Sequence, residues 1–264
     1  METTPPEIKA IFDAFTPLFR DFTGGKNYAI AVGGSYGKGK YDEDSDIDFR
    51  LFCDDGNWDS PSIGQWKILM ENYKEKGYKI DGVWIRKTED INKALDEWCD
   101  GKTKPQECVW TIWGYHILPD IYYHHIIEDP YGIIAGWKKR LQVYPPKLKE
   151  AIIGKHLESL RYWRDDYHYA NKVKRKDVVF LAGITQKLAH DIIQVLFAVN
   201  DAYFVGDGQN MEYMKAFSRI PENFEERITR ILFPGMEEGA FVKQREMLRE
   251  LIIEVIQLAE SGRS

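Results

Sequence analysis

The sequence predicts an α/β fold in which a small mixed β-sheet domain is followed by an α-helical bundle domain. Two observations carry this prediction. Strand-like segments alternate with helical ones up to about residue 89, and beyond that point strand signals vanish while apolar residues repeat with a helical period. The dipeptide Pro145-Pro146 marks the expected boundary, because proline suits the first turn of a new helix. We therefore expect domains at residues 1–144 and 145–264.

The first domain opens with an amphipathic helix that begins after two prolines, and a strand–loop–strand–helix–strand order follows. The helix is indicated by apolar residues at helical spacing: Ile8, Ile11, Phe12, Phe15, Leu18 and Phe19. The later elements are expected at residues 28–34 (strand), 35–45 (loop), 46–52 (strand), 61–76 (helix) and 78–86 (strand). This order predicts a mixed sheet with a helix packed against it.

The second domain is predicted to be helical throughout. Its first helix carries one stripe made of Leu148, Ile152, His156, Leu160, Trp163 and Tyr167, in which His156 is interpreted as a core histidine. Residues 177–200 are apolar on several sides, which is typical of a central bundle helix. A last helix is indicated around residues 248–258.

Composition and charge exclude several classes of protein. There are 36 Lys+Arg and 42 Asp+Glu, which gives a formal net charge of −6 and disfavours binding to extended nucleic acid. Three cysteines, without CxxC spacing, favour neither a disulfide framework nor a zinc site. No apolar stretch is long enough to span a membrane, and no signal peptide is visible. We expect a cytoplasmic protein without a membrane partner.

A glycine-rich run, GGSYGKGKY at residues 33–41, joins the first two strands and leads into an acidic segment. From Gly34 its spacing matches the phosphate-binding pattern G-x-x-x-x-G-K, but Tyr41 stands where that pattern requires Ser or Thr for magnesium. Five of the residues from 41 to 48 are acidic, which would repel a phosphate held without metal. A P-loop is therefore the weaker interpretation.

The stronger interpretation combines the glycine-serine turn with a pair of aspartates. Asp46 and Asp48 lie two residues apart in a predicted strand, so their carboxylates should project from one face. Two crowded carboxylates can both be ionised at low free-energy cost only with a cation between them, and magnesium prefers such oxygen ligands. Gly34 and Ser35 can present N–H groups and a hydroxyl to phosphate oxygens, and Asp81 can add a third carboxylate. The alternatives are a solvated acidic turn and, for Asp81, a solvent-facing strand residue.

These residues carry a resemblance to a known family. Gly-Gly-Ser, ten residues, then Asp-Ile-Asp-Phe, with Ile80-Asp81-Gly82 in a later strand, resembles the nucleotidyltransferase superfamily of DNA polymerase β. The motif is most similar to the small bacterial branch that includes antibiotic nucleotidyltransferases for aminoglycosides and lincosamides. The resemblance implies a mixed sheet with a helical domain. It also implies attack of a substrate hydroxyl on the α-phosphate of a nucleoside triphosphate, with release of pyrophosphate.

The resemblance also implies roles for residues of this chain. Asp46 and Asp48 would hold magnesium, two Mg²⁺ ions in all, and ATP is the expected donor. Asp81 would either ligate the metal on the nucleophile side or accept the hydroxyl proton. Three residues would steady the phosphates: Gly34, Ser35 and Ser45.

The expected acceptor is a small hydroxylated molecule. The acidic chain would concentrate a cationic acceptor, such as an aminoglycoside-like antibiotic. Two alternatives stay open at this point. One is nucleotidyl transfer to a protein or RNA hydroxyl, of which RNA is disfavoured by the charge. The other is a catalytically silent, nucleotide-binding or antitoxin-like module.

Overall fold

The computed structural model describes residues 4–102, 117–206, 208 and 210–261. The chain divides into two compact units, one of Met1–Glu97 with Ile117–Val143 and one of Trp98–His116 with Tyr144–Ser264. The first unit holds a mixed four-stranded sheet, and the described part of the second is helical. The predicted fold class is therefore confirmed.

The first unit alternates helices and strands along the chain. In order, its elements are α1 (Pro6–Phe22), β1 (Tyr28–Val32), α2 (Gly34–Lys38), β2 (Ile47–Cys53), α3 (Pro61–Glu75), β3 (Ile80–Arg86), most of α4 (Thr88–Cys99), α5 (Ile117–Tyr123), β4 (His125–Glu128) and α6 (Ile133–Leu141). The sheet order is β3-β2-β1-β4. β1 is antiparallel to both β2 and β4, whereas β2 and β3 are parallel.

Two local expectations are corrected by the structure. Strand signals do not end near residue 89, because β4 adds an edge strand beside β1. β4 is only four residues long, has no clear apolar alternation and pairs with β1 through an irregular register, so its sequence carries little strand signal. The predicted loop after β1 begins instead with the single helical turn α2, which ends at Gly39 with φ 65°.

The core of the first unit lies between α1, α3 and one face of the sheet. The rings of Phe15 and Phe19 on α1 lie 4.8 and 5.2 Å from the ring of Phe49 on β2. Trp66 of α3 adds an edge contact to Phe19 at 5.4 Å. Full burial of each such side chain contributes about 1.5–3 kcal/mol. β2 is therefore firmly anchored through Phe49, one residue from Asp48.

The second unit is a helical bundle. Its elements are α7 (Pro146–Arg164), α8 (Tyr167–Arg175), α9 (Val178–Val199), α10 (Asn210–Met214), α11 (Phe224–Leu232) and α12 (Ala240–Glu260). As predicted, α7 begins at the second proline and α9 is buried on several sides. The predicted stripe is wrong at Tyr167, since α7 ends at Arg164. The Asp166 side chain accepts a hydrogen bond from the Tyr169 N–H at 2.8 Å and so begins a new helix.

In the part of the chain that the structure describes, we find no helix that is both long and apolar enough to cross a membrane.

Candidate active site

Three carboxylates meet where β2 and β3 begin. Asp46 directly precedes β2, Asp48 is the second residue of β2 and Asp81 is the second residue of β3. One oxygen from each lies within 4.8 Å of the other two. We call these three residues the Asp48 cluster. Asp81 is exposed, whereas the Asp48 side chain is only 17% exposed. The structure thus brings together the two aspartates predicted from their spacing, Asp46 and Asp48, and the third carboxylate predicted from the next strand, Asp81.

A β-bulge accounts for the position of Asp81. In the parallel pairing of β2 with β3, Ile47 lies opposite Ile80, but the next residue, Asp48, lies opposite Gly82. Asp81 is therefore an extra residue between two pairs, and a bulge of this kind re-aims a side chain. Gly82 has φ 143°, a conformation that favours glycine. β3 begins at Ile80, two residues later than the strand expected at 78–86, so Asp81 lies near its start.

The glycine pair after β1 lets the backbone of α2 approach β2. Gly33 donates its N–H to the carbonyl of Asp48 at 2.9 Å. Gly34 has φ 57°, and a Cβ at this position would overlap Oδ2 of Asp48. Glycine is thus required at position 34 both by backbone conformation and by the space that the carboxylate occupies.

The two serines predicted to contact phosphate have different surroundings. Ser35 is half-buried in the first turn of α2, where its carbonyl accepts from the Lys40 N–H at 3.0 Å. The Ser45 hydroxyl donates to Oδ1 of Asp42 and accepts from the Asp42 N–H, both at 2.9 Å. The Ser45 hydrogen bond also lowers the pKa of Asp42. Ser45 therefore closes the acidic turn, and phosphate binding by Gly34, Ser35 and Ser45 stays a prediction.

The electrostatics of the Asp48 cluster favour a bound cation. The pKa of Asp48 is raised to about 6, chiefly by burial and also by the charges of Asp46, Asp120 and Asp81, while Arg50 acts in the opposite direction. Each of these acidic neighbours makes the ionised form of Asp48 more costly. A divalent cation among the oxygens would remove that cost.

The sequence reading missed a second set of charged residues behind Asp48. The Arg50 guanidinium contacts Asp120 of α5 through Nε at 3.1 Å and Nη2 at 3.4 Å, and its Nη1 lies 3.6 Å from Oδ1 of Asp48. Nε2 of His124 lies 3.1 Å from Oδ1 of Asp120. Although burial opposes it, the charges of His124 and Arg50 hold the pKa of Asp120 far below its usual range. Arg50 on the polar face of β2 could have been recognised from the sequence as a candidate partner for Asp48. No sequence pattern linked Asp120 to this site.

Comparisons with known proteins agree with this geometry. Residues 18–99, which include the Asp48 cluster, match the family described as nucleotidyltransferase domain. Residues 116–207 match a family described as a domain of unknown function, DUF4037. The chain is 33% identical over 98 residues to a protein of Methanocaldococcus jannaschii named "putative protein adenylyltransferase". That alignment spans 93% of the relative and 36% of this chain. Because almost the whole relative aligns, and the carboxylates lie within the matched domain, this chain is a nucleotidyltransferase that belongs to the nucleotidyltransferase superfamily.

Proposed function

We propose that the enzyme is Mg²⁺-dependent and transfers AMP from ATP to a hydroxyl group, with release of pyrophosphate. The observation that carries this proposal is the Asp48 cluster itself, with three carboxylate oxygens within 4.8 Å of one another beside a glycine-serine turn. Hard oxygen ligands of this kind suit Mg²⁺, which commonly binds one or two carboxylates together with substrate phosphates.

The residues present fit a divalent cation in number and in charge. Three carboxylates and a triphosphate of about four negative charges need roughly two Mg²⁺ ions to share one site. When bound, the metal supplies electrostatic stabilisation of the attacking and leaving oxygens. Asp46 and Asp48 would be the main ligands, because they lie at the start of β2 and Asp48 contacts the glycine-serine turn that follows β1.

In the proposed reaction, an acceptor hydroxyl oxygen forms a bond to the α-phosphorus. The bond from that phosphorus to the bridging oxygen breaks, and pyrophosphate leaves with the electron pair. Gly34 and Ser35 would orient the phosphates through N–H and hydroxyl donors. Asp81 is the most exposed carboxylate of the cluster, which supports a position beside the acceptor. There it would ligate metal or take up the hydroxyl proton.

We favour a small, hydroxylated and cationic acceptor, of the chemistry found in aminoglycosides, because the net charge of −6 would attract it. A protein hydroxyl is the second candidate. It is supported by the name of the relative, which describes a protein adenylyltransferase.

The test uses the full chain with ATP labelled at the α-phosphate. Each acceptor, from a panel of aminoglycosides and a panel of hydroxyl-bearing proteins, is incubated with Mg²⁺ or with EDTA. Labelled small product supports the first acceptor class, and acid-precipitable label supports the second. Label that appears equally with EDTA would refute the Mg²⁺ dependence. A chain that transfers no label to any acceptor and whose melting temperature does not respond to Mg²⁺ with ATP would be a silent module.

The role of Asp81 can be separated in the same assay. If Asp81 acts only as a base, Asp81→Asn lowers kcat by about 10²–10⁴-fold and leaves the Mg²⁺ requirement unchanged. If it is a ligand, the Mg²⁺ requirement rises as well. Normal turnover of this variant would make Asp81 a surface residue.

A further inference from the structure

We propose that Asp120 and Arg50 form a positioning pair for Asp48. In this arrangement Asp120 retains the guanidinium of Arg50, so that Arg50 stays beside Asp48 without closing onto the carboxylate that a metal ion would use. The inference rests on the proposed Mg²⁺ function of the Asp48 cluster, and it assigns a role to two residues outside that cluster.

The hydrogen bonds of Arg50 are divided unequally between its two acidic neighbours. Nε and Nη2 both donate to Asp120, at 3.1 and 3.4 Å. The remaining nitrogen, Nη1, is buried and has no hydrogen-bond partner among the described residues, although Oδ1 of Asp48 lies only 3.6 Å away. A buried donor without a partner is costly, and a small movement would satisfy it on Asp48. Arg50 therefore gives its two hydrogen bonds to Asp120 and makes only the longer ion-pair contact with Asp48.

Several features hold Arg50 in this position. Asp120 lies on α5, and Nε2 of His124 lies 3.1 Å from its Oδ1, the oxygen that also accepts from Nη2 of Arg50. The Trp84 ring of β3 lies 5.4 Å from the guanidinium carbon of Arg50. A Cβ on Gly33 would approach both Arg50 and Asp120 to 2.9 Å, so the first glycine of the pair leaves room for this contact. The absence of a side chain at Gly34 thus leaves room for the carboxylate of Asp48, and its absence at Gly33 leaves room for that of Asp120.

The arrangement matters because arginine and a metal ion compete for the same carboxylate. Arginine–carboxylate pairs are strong and often bidentate. If Arg50 were released from Asp120, it would pair with Asp48 and weaken the binding of Mg²⁺. While Asp120 holds Arg50, the two charges of that pair offset each other and Asp48 keeps its charge for the cation.

The test is a Mg²⁺ titration of the nucleotide-free protein, followed by thermal shift and by calorimetry, with kcat measured in parallel. We expect Asp120→Asn to raise the Mg²⁺ midpoint by about 10–100-fold, as for other residues that orient metal ligands. The double variant Asp120→Asn/Arg50→Met removes the competing cation, so its midpoint should return to within about threefold of the parent or below it. A merely structural role for Asp120 would not produce this reversal.

Two further variants complete the experiment. Glu128→Gln is the matched control, because it breaks another arginine–carboxylate pair of the same unit, that with Arg20, and should leave the midpoint unchanged. Arg50→Lys keeps a cation for Asp120 to retain, and its midpoint should stay within about threefold of the parent. It provides the test if Asp120→Asn does not fold.

The outcomes separate the inference from the proposed function. A parent protein that transfers no label and whose melting temperature does not respond to Mg²⁺, either alone or with ATP, would overturn the proposed function. A normal parent with a folded Asp120→Asn variant of unchanged midpoint would overturn the positioning role alone. So would a double variant that binds Mg²⁺ as weakly as the single one, or an Arg50→Lys variant with a midpoint raised 10-fold.

Discussion

Two largely buried aspartates, one in each unit, have opposite electrostatic surroundings. Asp48 has a side chain 17% exposed, and its pKa is raised to about 6 by burial and by neighbouring carboxylates. Asp191 on α9 is 6% exposed, yet its pKa is lowered, because bonds to His156, Lys187 and Ser159 outweigh burial. An aspartate is thus surrounded mainly by like charges at position 48 and by hydrogen-bond donors at position 191.

The surroundings of Asp191 show how completely this chain can satisfy a buried carboxylate. Oδ1 lies 2.7 Å from Nδ1 of His156, and Oδ2 accepts from Ser159 at 2.6 Å and from Lys187 at 2.8 Å. We call these four residues the Asp191 cluster. The prediction of His156 as a core histidine is confirmed by this contact. Among the described residues, the side-chain cation within 4 Å of Asp48 is Arg50, at 3.6 Å. Carboxylates with a perturbed pKa are typical of functional sites. We therefore expect the Asp191 cluster to serve stability and the Asp48 cluster to serve the proposed binding of a cation.

The largest effect is expected for Asp48→Asn. Loss of a metal ligand should remove several kcal/mol of transition-state stabilisation and lower turnover by about 10²–10⁴-fold. Because one of the mutually repelling carboxylates is gone, the metal-free melting temperature should hold or rise. Turnover with labelled ATP and a melting curve in EDTA measure the two effects. A variant that keeps a tenth of the parent's activity, or that unfolds, would contradict the functional role of Asp48.

Asp191→Asn should show the reverse pattern. Removing one partner from a buried charged network costs about 3–5 kcal/mol of unfolding free energy, because the remaining charges lose their counterpart. Chemical denaturation measures this loss, and turnover by the folded fraction should stay normal. If Asp191→Asn instead left stability unchanged and abolished turnover, the division between the two clusters would be wrong.

The two clusters also differ in how far the sequence could predict them. Asp46 and Asp48 were predicted to lie together from their two-residue spacing, and their oxygens do lie within 4.8 Å, although Asp46 precedes β2 and only Asp48 is in the strand. Asp81 was found from its strand, but its bulge was not, since register depends on pairing with β2. Asp120 was missed because it lies 70 residues from Arg50 and because the short neighbouring strand β4 gave no signal. Residue patterns within one helix or strand could be predicted from the sequence, whereas contacts between elements far apart in the chain could not.

The pH dependence of stability should differ in sign between Asp48 and His190, a residue that packs against the Asp191 cluster. His190 packs against His156, with ring centroids 5.6 Å apart, and burial, followed by the charge of His156, lowers its pKa to about 4. Folded protein then binds fewer protons than unfolded protein between pH 4 and 6.5, so this contribution is fully present above pH 6.5 and is lost as pH falls towards 4. The raised pKa of Asp48 has the opposite effect, since stability from that group falls as pH rises from about 4 to 6.

The His190 contribution is isolated by comparing His190→Gln with the parent. The groups whose charges act on His190, namely His156, Asp191, Lys155 and Lys187, are retained in both proteins. We expect the unfolding free energy of the parent to fall more steeply than that of the variant between pH 6.5 and 4. Each unit of pKa shift corresponds to about 1 kcal/mol of this difference. Parallel curves for the two proteins would show that His190 does not titrate differently on folding.

The smallest effects are expected for two serines, Ser159 in the Asp191 cluster and Ser35 beside the Asp48 cluster. They test whether each hydroxyl binds a ligand or stabilises the fold. Ser159 donates to Asp191 at 2.6 Å, and a bond of this kind to a charged group contributes about 1.5–3 kcal/mol. Ser159→Ala should therefore lower the unfolding free energy by that amount and leave turnover unchanged. Ser35→Ala should leave stability nearly unchanged and weaken triphosphate binding or turnover by about 10–200-fold, because the same bond strength would be directed at a phosphate oxygen. Denaturation curves and ATP saturation at fixed Mg²⁺ give the two readouts for both variants. If Ser35→Ala lost only stability, α2 would be a structural turn, and the phosphate contacts would have to come from other donors beside the Asp48 cluster.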